Sequence, residues 1–175
     1  GCRVGRPDNL ETMSERAPPG APAAPRRRYR LGRRLGGGGM ADVYAATEVG
    51  SAGGERRVAI KLMRTDHADA QARRMFLREA RIASRLHHHG IVRLFDYGTV
   101  GSGTPFLVME LVDGVDAARA LGRLGPLPAG LALHVIGEAA RALDHAHRLE
   151  DEGEPLGIVH RDVSPSNLLL AWSGD

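Results

Sequence analysis

Lysine is all but missing from this chain. Of 24 basic side chains only Lys61 is a lysine, and the rest are arginine. Cysteine is as scarce: Cys2 stands alone, which excludes an internal disulfide framework and makes a reducing compartment the default. Aromatic residues make up 4% of the chain, and only Tyr29 lies near the arginines of the N-terminal stretch, so the stacking of single-stranded nucleic-acid binders is not expected there. No apolar run approaches the roughly 20 residues of a membrane helix. The longest helical candidate, from about Ala129 to Leu149, is interrupted by His134, Glu138 and Arg141. GCRVG, residues 1 to 5, has no hydrophobic run before it, so a lipid-anchoring signal is not expected. These absences point to a cytoplasmic protein with no membrane span in this chain and no specific nucleic-acid partner.

The formal net charge of +3 hides an asymmetry. Residues 1 to 34 hold nine arginines against Asp8, Glu11 and Glu15, while the remainder carries 15 basic and 18 acidic residues. The stretch ERAPPGAPAAPRRRYR is rich in Pro and Ala and has no apolar periodicity, so residues 1–28 are expected to be a disordered leader.

From Tyr29 the pattern changes. YRLGRRLGGGGMADVYAATEV reads as a strand, a glycine loop and a second strand, in which Val43, Ala45, Thr47 and Val49 alternate with Tyr44, Ala46 and Glu48. RRVAIKLM is a third strand, with Val58, Ile60 and Leu62 on one face and Ala59, Lys61 and Met63 on the other. A helix follows, ADAQARRMFLREARIASRL, whose stripe includes Ala72, Met75, Phe76, Ile82, Ala83 and Leu86. Glu79 falls within that stripe, where a carboxylate either finds a partner or reaches water at the edge. GIVRLFDYG and TPFLVMELVDG read as two more strands. A linker, VDGVDAARALGRLGPLP, leads to the long helix. A polar loop, EDEGEPLG, precedes IVHRDVSPSNLLLAW, with a short strand at 168 to 171.

The chemistry lies in four places. Four glycines between two strands let backbone amides approach a phosphate with no Cβ in the way. The glycines do not open a helix, which disfavours a dinucleotide turn, and no Gly-Lys-Ser/Thr follows, which excludes a P-loop. Lysine differs from arginine in being a compact point charge on a flexible stem. Composition alone leaves open whether its single occurrence is chance or a site the planar fork does not fit. Paired with Glu79, Lys61 can meet phosphates, and each residue accounts for the other. In HRDVSPSN, Asp162 can accept a hydroxyl proton and Asn167 can offer an oxygen to a hard divalent cation. The run His87-His88-His89 invites a zinc reading, but no cysteine or spaced histidine completes a tetrahedral set.

Taken in order, these pieces resemble the eukaryotic-like protein kinase family, in the form common among bacterial serine/threonine kinases. GGGGMADV matches the glycine loop, with Gly36 and Gly38 at its first two glycine positions. Val58-Ala59-Ile60-Lys61 matches the strand-three lysine motif, Glu79 the helix-C acid, and His160-Arg161-Asp162 with Asn167 the catalytic loop. The resemblance implies an α+β, protein-kinase-like fold: an antiparallel β-sheet small lobe with helix C at about 29–108, a hinge at about 109–114, and the start of the helical large lobe at 115–175. It implies ATP and Mg²⁺ as cofactors, and protein substrates phosphorylated on Ser or Thr, possible autophosphorylation included. Asp162, Lys61, Glu79 and Asn167 would be catalytic, with Asn167 also a Mg²⁺ ligand. Met109 would be the gatekeeper, with Glu110, Leu111 and Val112 meeting adenine through their backbone. Leu35, Val43, Ala59 and Leu169 would enclose the base, and Asp116 would contact ribose.

Three departures from the family pattern stand out. Ala41 occupies the third glycine position. Ser164 stands where serine/threonine kinases usually have a phosphate-contacting lysine. The residues to Asp175 contain no Asp-Phe-Gly, whose Asp is the principal Mg²⁺ ligand. The expectation is a kinase catalytic domain cut before that motif and inactive alone, with LALHVIGEAARAL exposed. The alternative is a truncated pseudokinase or nucleotide-binding regulatory module that does not transfer phosphate.

Overall fold

The structure is a computed structural model that describes residues 9–14, 27–50, 53–64, 69–101 and 103–174, with the backbone alone at 9–14 and 27. The described chain runs β1 (Asn9–Ser14), β2 (Arg27–Gly37), β3 (Ala41–Val49), β4 (Glu55–Met63), α1 (Ala70–Ala83), β5 (Leu94–Val100) and β6 (Pro105–Glu110). It continues through β7 (Gly114–Asp116), α2 (Ala117–Leu124), α3 (Ala129–His147), β8 (Glu150–Asp151), β9 (Glu154–Pro155), a 3₁₀ turn at Pro165–Asn167, and β10 (Leu169–Ala171). Two compact units result: residues up to Arg85 with Arg93–Leu111, and Leu86–Val92 with Val112 onward.

The first unit is a closed antiparallel barrel in the order β1-β2-β3-β4-β6-β5. Strict alternation builds it. Val58 and Ile60 of β4 and Phe106 and Val108 of β6 are fully buried together with Tyr29 and Ala46. The intervening residues face the other way. There Met63 and Leu107 pack with Phe76, Ala72 and Ala80 of α1, and with Leu94 and Tyr97 of β5. Helix α1 starts at Asp69, whose side chain accepts the Ala72 N–H at 2.7 Å, a strong N-cap.

Four expectations are revised here. Residues 9–14, expected in a disordered leader, form a strand that pairs with Arg27–Arg30 of β2 and with Gly98–Val100 of β5. Without it both neighbours would present unpaired backbone groups, and the pairing removes those edges. The rest of that leader, residues 1–8 and 15–26, lies outside the described residues. Met75, placed on the apolar stripe of α1, is exposed, and Ala80 takes its place in the core. The expected linker contains a helix, α2, with Asp116 as N-cap and Gly125 ending it at φ +76°, a conformation glycine adopts without strain. The polar loop after α3 is a tight hairpin, β8 with β9.

In the second unit β7 pairs with β10, Leu169 opposite Asp116 and Ala171 opposite Gly114. The fit is close: a Cβ on Gly114 would lie 2.1 Å from the Leu170 carbonyl oxygen. Helix α3 buries Ala142 and Ala146 but leaves Leu133 71% and Ile136 63% exposed. No described helix is long and apolar enough to cross a membrane.

Phe106→Ala should cost about 3–5 kcal/mol of stability, the range for a buried aromatic truncated to alanine, read from urea unfolding. The exposed apolar face of α3 should drive self-association. Leu133→Lys with Ile136→Glu is expected to reduce it in sedimentation velocity without changing the far-UV circular dichroism.

Candidate functional site

Barrel register assembles one cluster of candidate residues within the first unit. Gly36 is the cross-strand partner of Val43, Val43 of Lys61, and Lys61 of Leu107. The glycine loop and the lone lysine thus share one row of the sheet, with Val43 between them. Two residues along, on the same face, Ala59 stands opposite Met109. Ala59 is buried, and Leu35, Val43 and Met109 are half-buried.

The glycines of the loop are not equivalent. A Cβ on Gly36 or Gly38 would meet nothing within 4 Å. On Gly37 it would lie 2.2 Å from Asp42 Oδ1 and 2.5 Å from Arg34 Nη2, atoms that form an ion pair at 2.7 Å across the base of the loop. A side chain at Gly37 would therefore have to displace this pair, while the space over Gly36 and Gly38 is open to a ligand. Gly38 N–H donates to the Ala41 carbonyl at 3.0 Å and closes the turn.

Lys61 Nζ lies 5.8 Å from the centroid of the Phe76 ring, the outer limit of a cation–π contact. Glu79 is exposed and makes no ion pair with Lys61. The expected pair is therefore not formed in this structure. The cause is helical phase: α1 buries Ala72, Phe76 and Ala80, and Glu79, three residues past Phe76, lies on the flank of that stripe.

A second cluster of candidate residues lies in the other unit. Arg161 adopts φ +64°, a left-handed conformation uncommon for a residue with a Cβ. The Asp162 N–H donates to His160 Nδ1 at 3.3 Å. Asn167 Nδ2 donates to both the carbonyl and Oδ2 of Asp162, each at 2.9 Å. Between them Pro165 opens the 3₁₀ turn, and Asn167 N–H donates to the Ser164 carbonyl at 2.9 Å. The two residues singled out five apart are thus stapled to one another. With its nitrogen spent on Asp162, Asn167 has its amide oxygen left for a cation. That donor suits Mg²⁺, which takes oxygen ligands and completes its shell with water and phosphate. Among the described residues no group of three or more His, Cys, Asp or Glu could hold a metal by itself.

Asp116 and Leu169 are cross-strand partners. Asp116 already has a structural task. As the N-cap of α2 it accepts the Arg119 N–H at 2.8 Å and pairs with Arg119 Nε at 3.2 Å. At Glu110 the N–H is given to the Arg93 carbonyl at 2.9 Å, so this residue brings no N–H to a base. Val112 follows the end of β6 and precedes β7.

Residues 29–175 match the family model described as protein kinase domain. Tyrosine-protein kinase MasK of Myxococcus xanthus is 40% identical over 156 residues, covering 83% of this chain and 23% of MasK. Serine/threonine-protein kinase PknH of Mycobacterium tuberculosis is 43% identical over 143 residues, covering 81% of this chain and 21% of PknH. The solved kinase domain of Mycobacterium tuberculosis PknI superposes with a TM-score of 0.66 at 34% identity, covering 83% of this chain and 55% of that one. The chain thus spans about a fifth of the curated relatives' length and about half of the solved domain. It belongs to the protein kinase family, in the eukaryotic-like form found in bacteria. Its barrel, α1 and the start of a helical region make a partial protein-kinase-like α+β fold.

The glycine geometry predicts a contrast. Gly36→Ala and Gly38→Ala should leave the melting temperature of the ligand-free chain unchanged. Gly37→Ala should displace the Arg34–Asp42 pair, visible as altered amide shifts at Asp42 in NMR spectra. Its stability cost should stay under about 1 kcal/mol, because the pair is exposed.

Proposed function

We propose that these residues form the nucleotide-binding and catalytic-loop portion of an ATP-dependent protein kinase that phosphorylates serine or threonine of protein substrates, itself among them. The Asp162–Asn167 staple is the observation that carries this reading. It holds one carboxylate oxygen of Asp162 and leaves the other to accept the proton of a substrate hydroxyl. As that O–H bond breaks, the oxygen bonds to the γ-phosphorus and the bond to ADP breaks. The open amides about Gly36 and Gly38 and the ammonium of Lys61 would hold the phosphates. Leu35, Val43, Ala59 and Leu169 would enclose adenine beside Met109, and Glu110 and Val112 would offer backbone groups. Asp116 would reach ribose only by sharing its capping role. Asn167 Oδ1 would be this chain's Mg²⁺ ligand. When bound, Mg²⁺ neutralises charge on the phosphates.

Catalysis of this kind is positioning and charge stabilisation. Glu79 must then turn in to Lys61 in the working state through a movement of α1. The exposed Glu79 favours a second reading, a nucleotide-binding module without phosphotransfer. The names of the relatives divide over the acceptor, tyrosine for MasK and serine/threonine for PknH. Ser164 weakens the serine/threonine choice. The proposed compartment is the cytoplasm, where ATP is available and Cys2 stays reduced.

Lys61→Met in the full-length protein should lower autophosphorylation at least about 100-fold, the loss of one preorganised charge contact, with an unchanged melting temperature. Retained transfer would refute the assignment. Phosphoamino-acid analysis of the wild-type product should give phosphoserine or phosphothreonine. Stabilisation by ATP that needs Mg²⁺, without any transfer, would establish the second reading.

A further inference from the structure

Three imidazoles meet where Leu86–Val92 lies against α3, within the second unit. The His88 ring stacks on His89, centroids 4.3 Å apart, and lies 5.1 Å from His145 of α3. His89 Nε2 is 3.0 Å from Glu138 Oε2, and Glu138 also pairs with Arg141. His88 Nδ1 accepts the backbone N–H of Gly90 at 3.0 Å. Gly90 is pressed between the two elements: a Cβ there would lie 3.3 Å from His88 Nδ1 and 3.4 Å from Ala142 Cβ. His145 Nε2 is buried with no hydrogen-bond partner.

Each contact sets a protonation requirement. His88 Nδ1 must be bare to accept the Gly90 N–H, so the neutral ring carries its proton on Nε2. A proton on Nδ1 would set one N–H against another and place a cation between two imidazoles. Hydrogen bonds from Arg141 first and His89 second hold the Glu138 carboxyl down at about 2, so it stays ionised wherever histidine titrates. That anion lies against His89 and not against His88, which meets the imidazoles of His89 and His145 on its two sides. An open cleft of about 420 Å³ adjoins the stack, rimmed also by Asp144, Arg148 and Glu150. Arg148 pairs with Asp144 at 2.9 Å, which leaves Glu150 as the acid there with no arginine paired to it. A metal is a poorer occupant, since His88 Nδ1 is spent on Gly90 and no described trio of ligands exists.

We propose that the His88–His89–His145 stack is a proton-operated latch, holding Leu86–Val92 on α3 while His88 is neutral and releasing it when His88 is protonated. Partial burial first, then His89 and His145, lowers the His88 pKa below its ordinary value, with Glu138 opposing. A released His88 titrates near 6.5. The docked state therefore binds the proton less well than the released one. The latch is at full strength above about pH 6.5 and weakens as the pH falls through that value. His145 adds to the bias, because opening gives its buried nitrogen back to water. Leu86–Val92 follows α1 in the chain by two residues, so its release would loosen the anchor just after the helix that bears Glu79. The latch stands on the fold and not on the phosphotransfer reading.

Hydrogen–deuterium exchange on the whole chain tests this, corrected for intrinsic rates and run at about pH 7.5 and about pH 5.5, either side of the ordinary imidazole value. Protection of the Gly90 amide should fall several-fold at the lower pH in the wild type. It should be independent of pH in His88→Asn, whose side-chain oxygen can accept the same N–H without titrating. Unchanged protection in the wild type, or an equal fall in His88→Asn, overturns the latch. Should His88→Asn not fold, NMR titration of the wild type decides. A His88 midpoint below 6.5 that coincides with the loss of Gly90 protection supports the latch, and a midpoint at or above 6.5 overturns it.

Discussion

The period-two alternation of β4 and β6 is the constraint on which this protein depends. Val58, Ile60, Phe106 and Val108 fill the barrel, so Ala59, Lys61, Leu107 and Met109 must face away from it. A slip of one residue would exchange the two sets, placing an ammonium in the barrel and two large side chains outside it. The cost of burying that charge fixes the register more firmly than any single contact. Lys61 is therefore positioned by the apolar residues around it, and its row with Val43 and Gly36 follows from the same ladder.

The second unit solves its positioning problem differently. Its site rests on a short loop, and the loop is held by polar staples: Asn167 on Asp162, Asp162 N–H on His160, and the β7–β10 pair behind them. Arg161 sits at φ +64° in the middle of this arrangement. Strain of that kind persists only where the surroundings over-determine it, and here three neighbouring hydrogen bonds do so. The first unit's cluster owes its geometry to packing, the second unit's to hydrogen bonding.

These different origins explain what the sequence discloses. The glycine loop, Lys61, Asp162 and Asn167 are legible because spacing along a strand or within a six-residue loop is local. The faces of β4 are legible for the same reason. Three features resist. Periodicity puts Glu79 at the edge of the α1 stripe and leaves its choice between a partner and water open; the seating of Phe76 and Ala80 in the core turns it to water. Residues 9–14 read as leader because their composition lacks apolar alternation, and their pairing is backbone to backbone. Helix α2 does carry local signals, Asp116 as cap and Gly125 as stop with eight residues of helix between them, but the segment is short and its glycines and prolines favour a linker.

The arginine-rich surface has one further consequence. Arginine does not lose its proton in ordinary buffers, so its guanidinium stays unreactive toward mild acylating reagents. With 23 arginines and one lysine, Lys61 Nζ is the sole side-chain amine in these 175 residues. It lies half-buried beside Phe76, on the row that leads to the glycine loop. Amine-directed chemistry, which scatters over the surface of an ordinary protein, would here find one side-chain atom besides the chain's α-amine, and report on whatever covers it.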